Sequence, residues 1–190
     1  RNAFPLLCRC KSSAAAGVMA KRDLTTMSNI ETNRLRLRLW KEEDFELFAK
    51  YFSDEANAKY VGGQKDNNEA WRYLALLIGH WQLRGFGYWA VDEISTGNFV
   101  GCVGLWRPAG WPEVELGYWL LNDYQGKGYA REAALKSIEY ARDVLAIDSL
   151  VSYINPDNVP SIKLAESIGA NYEKTIELLD EGPHCVYRHF

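Results

Sequence analysis

Arg34 to Trp40, RLRLRLW, alternates strictly between arginine and leucine before closing on an indole. A period of two sets Leu35, Leu37 and Leu39 on one side of a half-buried strand. The period then changes. In EEDFELFAKYF, Phe45, Phe48 and Phe52 recur at helical spacing. A second helix is expected from Asn68 to Arg84, with Trp71, Leu74, Leu77, Ile78 and Trp81 on its apolar side and Gly85 as its stop. GYWAVDE and FVGCVGLW, joined by ISTGN, read as a hairpin; RPAGWP is a loop and VELGYWLL a third strand. A helix follows from Tyr129 to Leu145, with Ala130, Ala134, Ile138, Ala141 and Leu145 in register. SLVSYI is a short buried strand and NPDNVP a loop, in which Pro160 opens a helix ending near Gly169. NYEKTIELL and HCVYRHF close the chain as two strands. The expected order is β-α-α-β-β-β-α-β-α-β-β: an α/β chain with an antiparallel first half and one β-α-β crossover.

The first 26 residues, RNAFPLLCRCKSSAAAGVMAKRDLTT, lack this patterning. They are rich in Ala and Ser and hold no acid before Asp23. Arg9 and Lys11 interrupt the short apolar run, which fits a secretory signal poorly; the basic composition leaves a transit peptide open. The expectation is that residues 1–26 are extra upstream or expression-derived sequence, with a natural start at Met27 or Met19, and that residues 27–190 form a single domain. A chain of 190 residues with 47 % hydrophobic and 25 % charged content suits a soluble globular domain with a full core. A net charge of −3 and a pI of about 5.7 give no sign of nucleic-acid binding. No apolar run approaches the roughly 20 residues that span a bilayer, so no membrane role is expected. Cys8, Cys10, Cys102 and Cys185 show no CxxC spacing, so neither a disulfide framework nor a zinc or other metal site is expected. That usage suits a reducing cytosol, and a cytoplasmic location is expected. Cys102, in an apolar strand, reads as core.

Chemistry enters at WLLNDYQGKGYAREAAL, Trp119 to Leu135, where an apolar strand gives way to a turn with two glycines and then a helix. Gly126 and Gly128 permit positive φ and close approach of a ligand to the main chain. The first amides of a helix have no partner within it, and the helix dipole adds positive charge, so the turn suits a phosphate or pyrophosphate. Lys127 adds charge or simply faces solvent; the plainer role of such a turn is packing. The chain has no GxxxxGK[ST] string, which excludes a Walker loop, and GKGYAR does not complete a GxGxxG fingerprint.

QGKGYA, Gln125 to Ala130, resembles the [Q/R]-x-x-G-x-[G/A] loop of the GNAT acetyltransferases, and NPDNVPSIKLAESIGA, Asn155 to Ala170, resembles their second signature, N-x-x-S opening a helix closed by glycine. TNRLRLR and VELGYWLLNDYQGKGYAREA are similar to the RimJ/RimL-like branch, which contains the ribosomal-protein N-terminal acetyltransferases. The resemblance covers about Glu31 to Phe190. It implies a mixed central sheet with helices on both faces, acetyl-CoA as co-substrate, and direct acetyl transfer to a primary amine, either a protein N-terminus or a small molecule. It also implies that Gln125, Gly126, Lys127, Gly128, Tyr129 and Ala130 cradle the pyrophosphate. An amide at Leu120 or Leu121 is implied as the polariser of the thioester carbonyl. A monomer or a homodimer would serve.

The residues agree with that chemistry. Acyl transfer from a thioester to an amine needs no protein nucleophile, but a free alkylamine is only ~0.1 % neutral at pH 7, so a base should help. Glu113, Glu115 and Gly117 share one face of VELGYWLL, opposite Val114, Leu116 and Tyr118. The resemblance implies that Glu115 is the acid beside the acceptor, acting through one water; an arbitrary glutamate there would be a solvated edge carboxylate. The family's tyrosine, seven residues after the Asn158 equivalent, is here Ala165. Ser161 is the candidate to donate to the departing sulfur or position the pantetheine arm, and Asn155 and Asn158 either pair with that arm or shape the NPDN turn. The missing tyrosine leaves a second reading, a non-catalytic acyl-CoA-binding or sensing module. Trp106 and Trp111, flanking RPAGWP, are candidates for the acceptor wall. His184 is a weaker one, and His80 reads as a packing residue.

Overall fold

The computed structural model describes residues 29–190; the segment expected to be extra lies outside them. Leu35 and Leu37 are fully buried on one face of β2 (Leu35–Arg38), as the alternation predicts. A two-residue strand absent from the expected order, β1 (Ile30–Glu31), pairs with it. At the end of β2, Arg38 is buried between two carboxylates. Its guanidinium donates to Asp44 Oδ2 and Oδ1 at 2.8 and 2.7 Å and to Asp92 Oδ2 and Oδ1 at 2.6 and 2.9 Å. This fork ties the strand to its neighbour and to the turn that starts the helices.

Three helices follow: α1 (Phe45–Ser53), the unforeseen four-residue α2 (Glu55–Ala58), whose Ala56 and Asn57 amides donate to Asp54, and α3 (Asn67–Arg84). Gly85, at φ 75°, ends α3 in a left-handed conformation that costs glycine little. The buried stripe of α3 is Ala70, Leu74, Leu77 and Trp81, which keeps Leu74, Leu77 and Trp81 of the expected face and replaces Trp71 and Ile78 with Ala70. Its 4-3-4 spacing places Trp71 and Ile78 one residue outside it, and they are 58 % and 40 % exposed.

The sheet continues through β3 (Tyr88–Glu93), β4 (Phe99–Trp106) and β5 (Val114–Leu120); after α4 (Tyr129–Asp143), β6 (Leu150–Ile154) lies parallel to β5. α5 (Val159–Ser167) leads to β7 (Asn171–Glu177) at the sheet edge, and β8 (Pro183–Arg188) inserts between β6 and β7. The order across the sheet is β1-β2-β3-β4-β5-β6-β8-β7, mixed as expected. Helices cover both faces. Ala133, Ala134, Ile138 and Ala141 of α4 pack on Leu35, Val91, Leu105 and Leu116; Phe48, Phe52, Leu74 and Leu77 pack on Ala90, Cys102 and Trp119. Among the described residues no helix is long and apolar enough to cross a membrane.

Candidate active site

The site is where the sheet parts. β5 and β6 pair only at Val114 with Leu150 and Glu115 with Val151; beyond that point they diverge. Side chains satisfy what the missing ladder leaves open. The Ser152 hydroxyl donates to the Leu116 carbonyl at 2.7 Å and accepts from His189 Nε2 at 2.9 Å. Further along, the Tyr118 hydroxyl crosses the gap to donate to the Ser161 carbonyl at 3.0 Å. Two cavities open from the cleft, of about 540 Å³ and about 400 Å³, and Tyr60, Tyr118, Trp119, Asn158 and Ser161 line both. The two cavities therefore meet along a shared wall that includes Tyr118 and Ser161, and together make one passage.

The larger cavity holds the glycine turn. Gly126 and Gly128 have φ of 72° and 79°, and a Cβ at Gly126 would meet nothing within 4 Å. No side chain of the described residues caps the N-terminus of α4. Among the described residues the amides of Tyr129, Ala130 and Arg131 have no acceptor. Three N–H groups and the positive end of a 15-residue helix thus face one concave surface, which suits a diphosphate. The turn is braced from behind. Arg34 donates to the Lys127 carbonyl at 3.0 Å and to Glu132 at 2.7 Å, and its guanidinium stacks on the Tyr129 ring at 4.6 Å. The Tyr129 hydroxyl donates in turn to Glu93.

The expected cofactor residues separate on this geometry. Leu120, Gln125, Gly126, Gly128, Tyr129, Ala130, Asn158 and Ser161 line the larger cavity. Leu121 does not serve as expected: its amide donates to the Val100 carbonyl at 3.0 Å. That bond fixes the alternation of β5, so the N–H groups of Tyr118 and Leu120 point to the open side instead. Lys127 is no part of the cavity wall; its ammonium lies 4.9 Å over the Tyr124 ring. Asn155 lines the other cavity, and its side chain is engaged locally, accepting from the Asp157 amide at 2.9 Å. Asn158 caps α5, accepting from the Ser161 amide at 3.3 Å. Ala165 is fully buried against Ile154, Ala170 and Tyr187, while Leu164 of the same turn faces the cavity.

The smaller cavity contains Glu115. Trp111 Nε1 donates to its carboxylate at 2.9 Å. Removal from water dominates and pushes its pKa up to about 8, against the opposing hydrogen bonds from Trp111 and the Tyr153 backbone. Glu113, two residues away, has the opposite environment: Arg188 and Ser149 hold it, and its pKa is lowered by the Arg188 hydrogen bond. Glu113 is structural. Trp106, Trp111 and His184, the candidates for the acceptor wall, all line this cavity. His80 is a packing residue, stacked on Trp106 at 4.3 Å with its ring nitrogens on Phe86 and Arg107 backbone.

Sequence reasoning missed the tyrosines around Glu115, namely Tyr73, Tyr88 and Tyr153, and the bridging Tyr118. One signal was available. Gly104 and Gly117 sit opposite each other in strand interiors, and a Cβ at Gly117 would lie 2.1 Å from the Tyr88 hydroxyl. Glycines inside strands mark such close approach.

A profile of the family described as "Acetyltransferase (GNAT) domain" matches residues 34–171. The chain belongs to the GNAT acetyltransferases. YkkB of Bacillus subtilis is 29 % identical over 172 residues, covering 86 % of this chain and 96 % of that protein. An acetyltransferase from Agrobacterium tumefaciens is 31 % identical with a TM-score of 0.79, covering 85 % of this chain and 94 % of that one. A structure described as that of "a putative ribosomal-protein-serine acetyltransferase from Vibrio cholerae" is 25 % identical with a TM-score of 0.70, over 84 % of this chain and 95 % of that one. The mixed sheet, covered by helices on both faces, is the GNAT fold.

Proposed function

We propose that residues 27–190 form one acetyltransferase domain that moves an acetyl group from acetyl-CoA directly to a primary amine. One observation carries the reading: unpartnered amides of α4 and a half-buried carboxyl at Glu115 open into the two ends of one passage. Acetyl-CoA, the co-substrate, supplies the activated acyl group. Its diphosphate would be held by the amides after Gly128, with Gln125 fixing the turn by donating to the Leu120 carbonyl at 3.2 Å. The Leu120 and Tyr118 amides point to where the carbonyl oxygen of the thioester would gain charge. Glu115 takes the amine's proton, directly or through a water, and a pKa near 8 keeps it close to the working pH. Ser161 and Tyr118 bring hydroxyl groups to the junction where the thiolate leaves, and a thiol near 8.5 needs little acid to depart. Ala165 therefore removes no essential proton donor.

The RimJ/RimL-like likeness leans toward a protein N-terminus as acceptor, while the loops that form acceptor lips diverge freely and leave a small amine equally open. The free thiols Cys102 and Cys185 support a cytosolic setting. Thiol release from acetyl-CoA, measured across a panel of amines, tests the reading. Amine-dependent release is expected. Tight coenzyme A binding with no turnover on any amine would favour an acyl-CoA-binding module instead.

A further inference from the structure

The acceptor-side cavity is walled mainly by rings. Eight aromatic side chains line it. Several are locked in place: Trp106 is stacked between His80 at 4.3 Å and Tyr88 at 5.4 Å, and Trp111 meets Tyr153 edge-on at 6.1 Å. Rings held this way offer flat apolar surface with little entropy left to lose on binding. A volume of about 400 Å³ is that of a small-molecule site.

The charges are few and already arranged. Beside the tyrosines, the ionisable groups facing the cavity are Lys65, Glu115, Glu181 and His184. The Lys65 ammonium belongs to the wall. It donates to the Gly62 and Gly63 carbonyls and lies 5.0 Å over the Tyr73 ring and 5.7 Å over Phe52. An incoming second cation would share the chamber with this fixed positive charge and lose one face of Tyr73 to it. Glu115 is committed to the reacting amine. Among the described residues, Glu181, on the exposed turn Leu179–Glu181, is the one remaining carboxylate of the lining. A polyamine or a polyhydroxylated aminoglycoside would leave its other polar groups against rings without partners.

Resting on the acetyltransferase reading, the geometry points to an acceptor with a single amine attached to a flat apolar or aromatic group and carrying no second positive charge. The rings take the body, Glu115 takes the proton, and Lys65 turns away polycations.

The experiment compares kcat/KM of the full chain with acetyl-CoA for 2-phenylethylamine, butylamine, spermidine and a short peptide with a free N-terminus. Phenylethylamine should exceed each of the others by about tenfold or more, the scale set by filling an apolar pocket. Trp106→Leu should raise KM for phenylethylamine about tenfold while coenzyme A affinity is unchanged. Lys65→Gln, at a surface loop, should narrow the gap between phenylethylamine and spermidine by about fivefold; this holds as a test even if the Trp106 variant fails to fold. Spermidine, peptide or butylamine equal to or better than phenylethylamine would overturn the inference and leave the enzyme reading standing. No turnover of any amine by protein that binds coenzyme A would overturn both.

Discussion

The two ends of the passage are built in different ways. In the larger cavity, the proposed coenzyme end, the groups that would meet the diphosphate come from one continuous stretch, Leu120 to Arg131, in which turn, glycines and helix start follow one another along the chain. The groups proposed to hold the diphosphate are main-chain amides, so that geometry depends on φ at Gly126 and Gly128 more than on any side chain. The acceptor end draws on α3, β3, β4, β5, β6, the loop at Trp111 and the turn before β8. There the main chain supplies little and side chains supply the surface. A backbone site tolerates few changes at few positions. A side-chain site can be rebuilt one residue at a time, which is how one fold serves many acceptors.

The largest effect should come from the main chain. Gly128→Val forces a β-branched residue into φ 79° and is expected to weaken coenzyme A binding by at least about thirtyfold in calorimetry. Unchanged affinity would remove the cradle. At the other end, Glu115→Gln should lower kcat by about a hundredfold at pH 8 and leave coenzyme A affinity within about twofold. The sign of the pH dependence follows from the raised pKa. The carboxyl is protonated below about 8 and a base above it, so wild-type turnover should climb through that region and the variant's should not. A wild-type profile that is flat from pH 6 to 9 would take Glu115 out of the reaction.

Two smaller changes sharpen the contrast. Arg34→Ala removes the brace behind the glycine turn and should raise the dissociation constant for coenzyme A by about three- to tenfold, with kcat at saturation unaltered. An equal loss in kcat would mean that the two ends are not separable. Trp111→Phe keeps the ring and deletes the donor that favours ionised Glu115, so the rise in turnover should move to higher pH by about half a unit to one unit. A midpoint that stays put would show that this hydrogen bond does not tune the base.

The same division decides what could be read along the chain. Strand and helix periods mark β2 and α4, because each buries one face; the hairpin is marked by two apolar runs around ISTGN, and its β4 is buried on both faces. The glycine turn is legible since its residues are contiguous. α3 misleads because it carries apolar residues on more than one side; only packing distinguishes Ala70 from Trp71. Leu121 misleads because one hydrogen bond, to a carbonyl some twenty positions earlier, decides which amides of the strand are free. The brace at Arg34 and the aromatic chamber stay hidden for a related reason. Their members are far apart in sequence, and only the register across β3, β4 and β5 lays Tyr88 over Gly117.

The short pairing of β5 with β6 has a cost and a use. Substitutions that zipped this seam further would add backbone bonds and should make the chain harder to melt. They would also fill the gap in which, on the proposed function, donor and acceptor meet. Selection for heat resistance alone would therefore push this protein toward a sounder sheet and a dead enzyme.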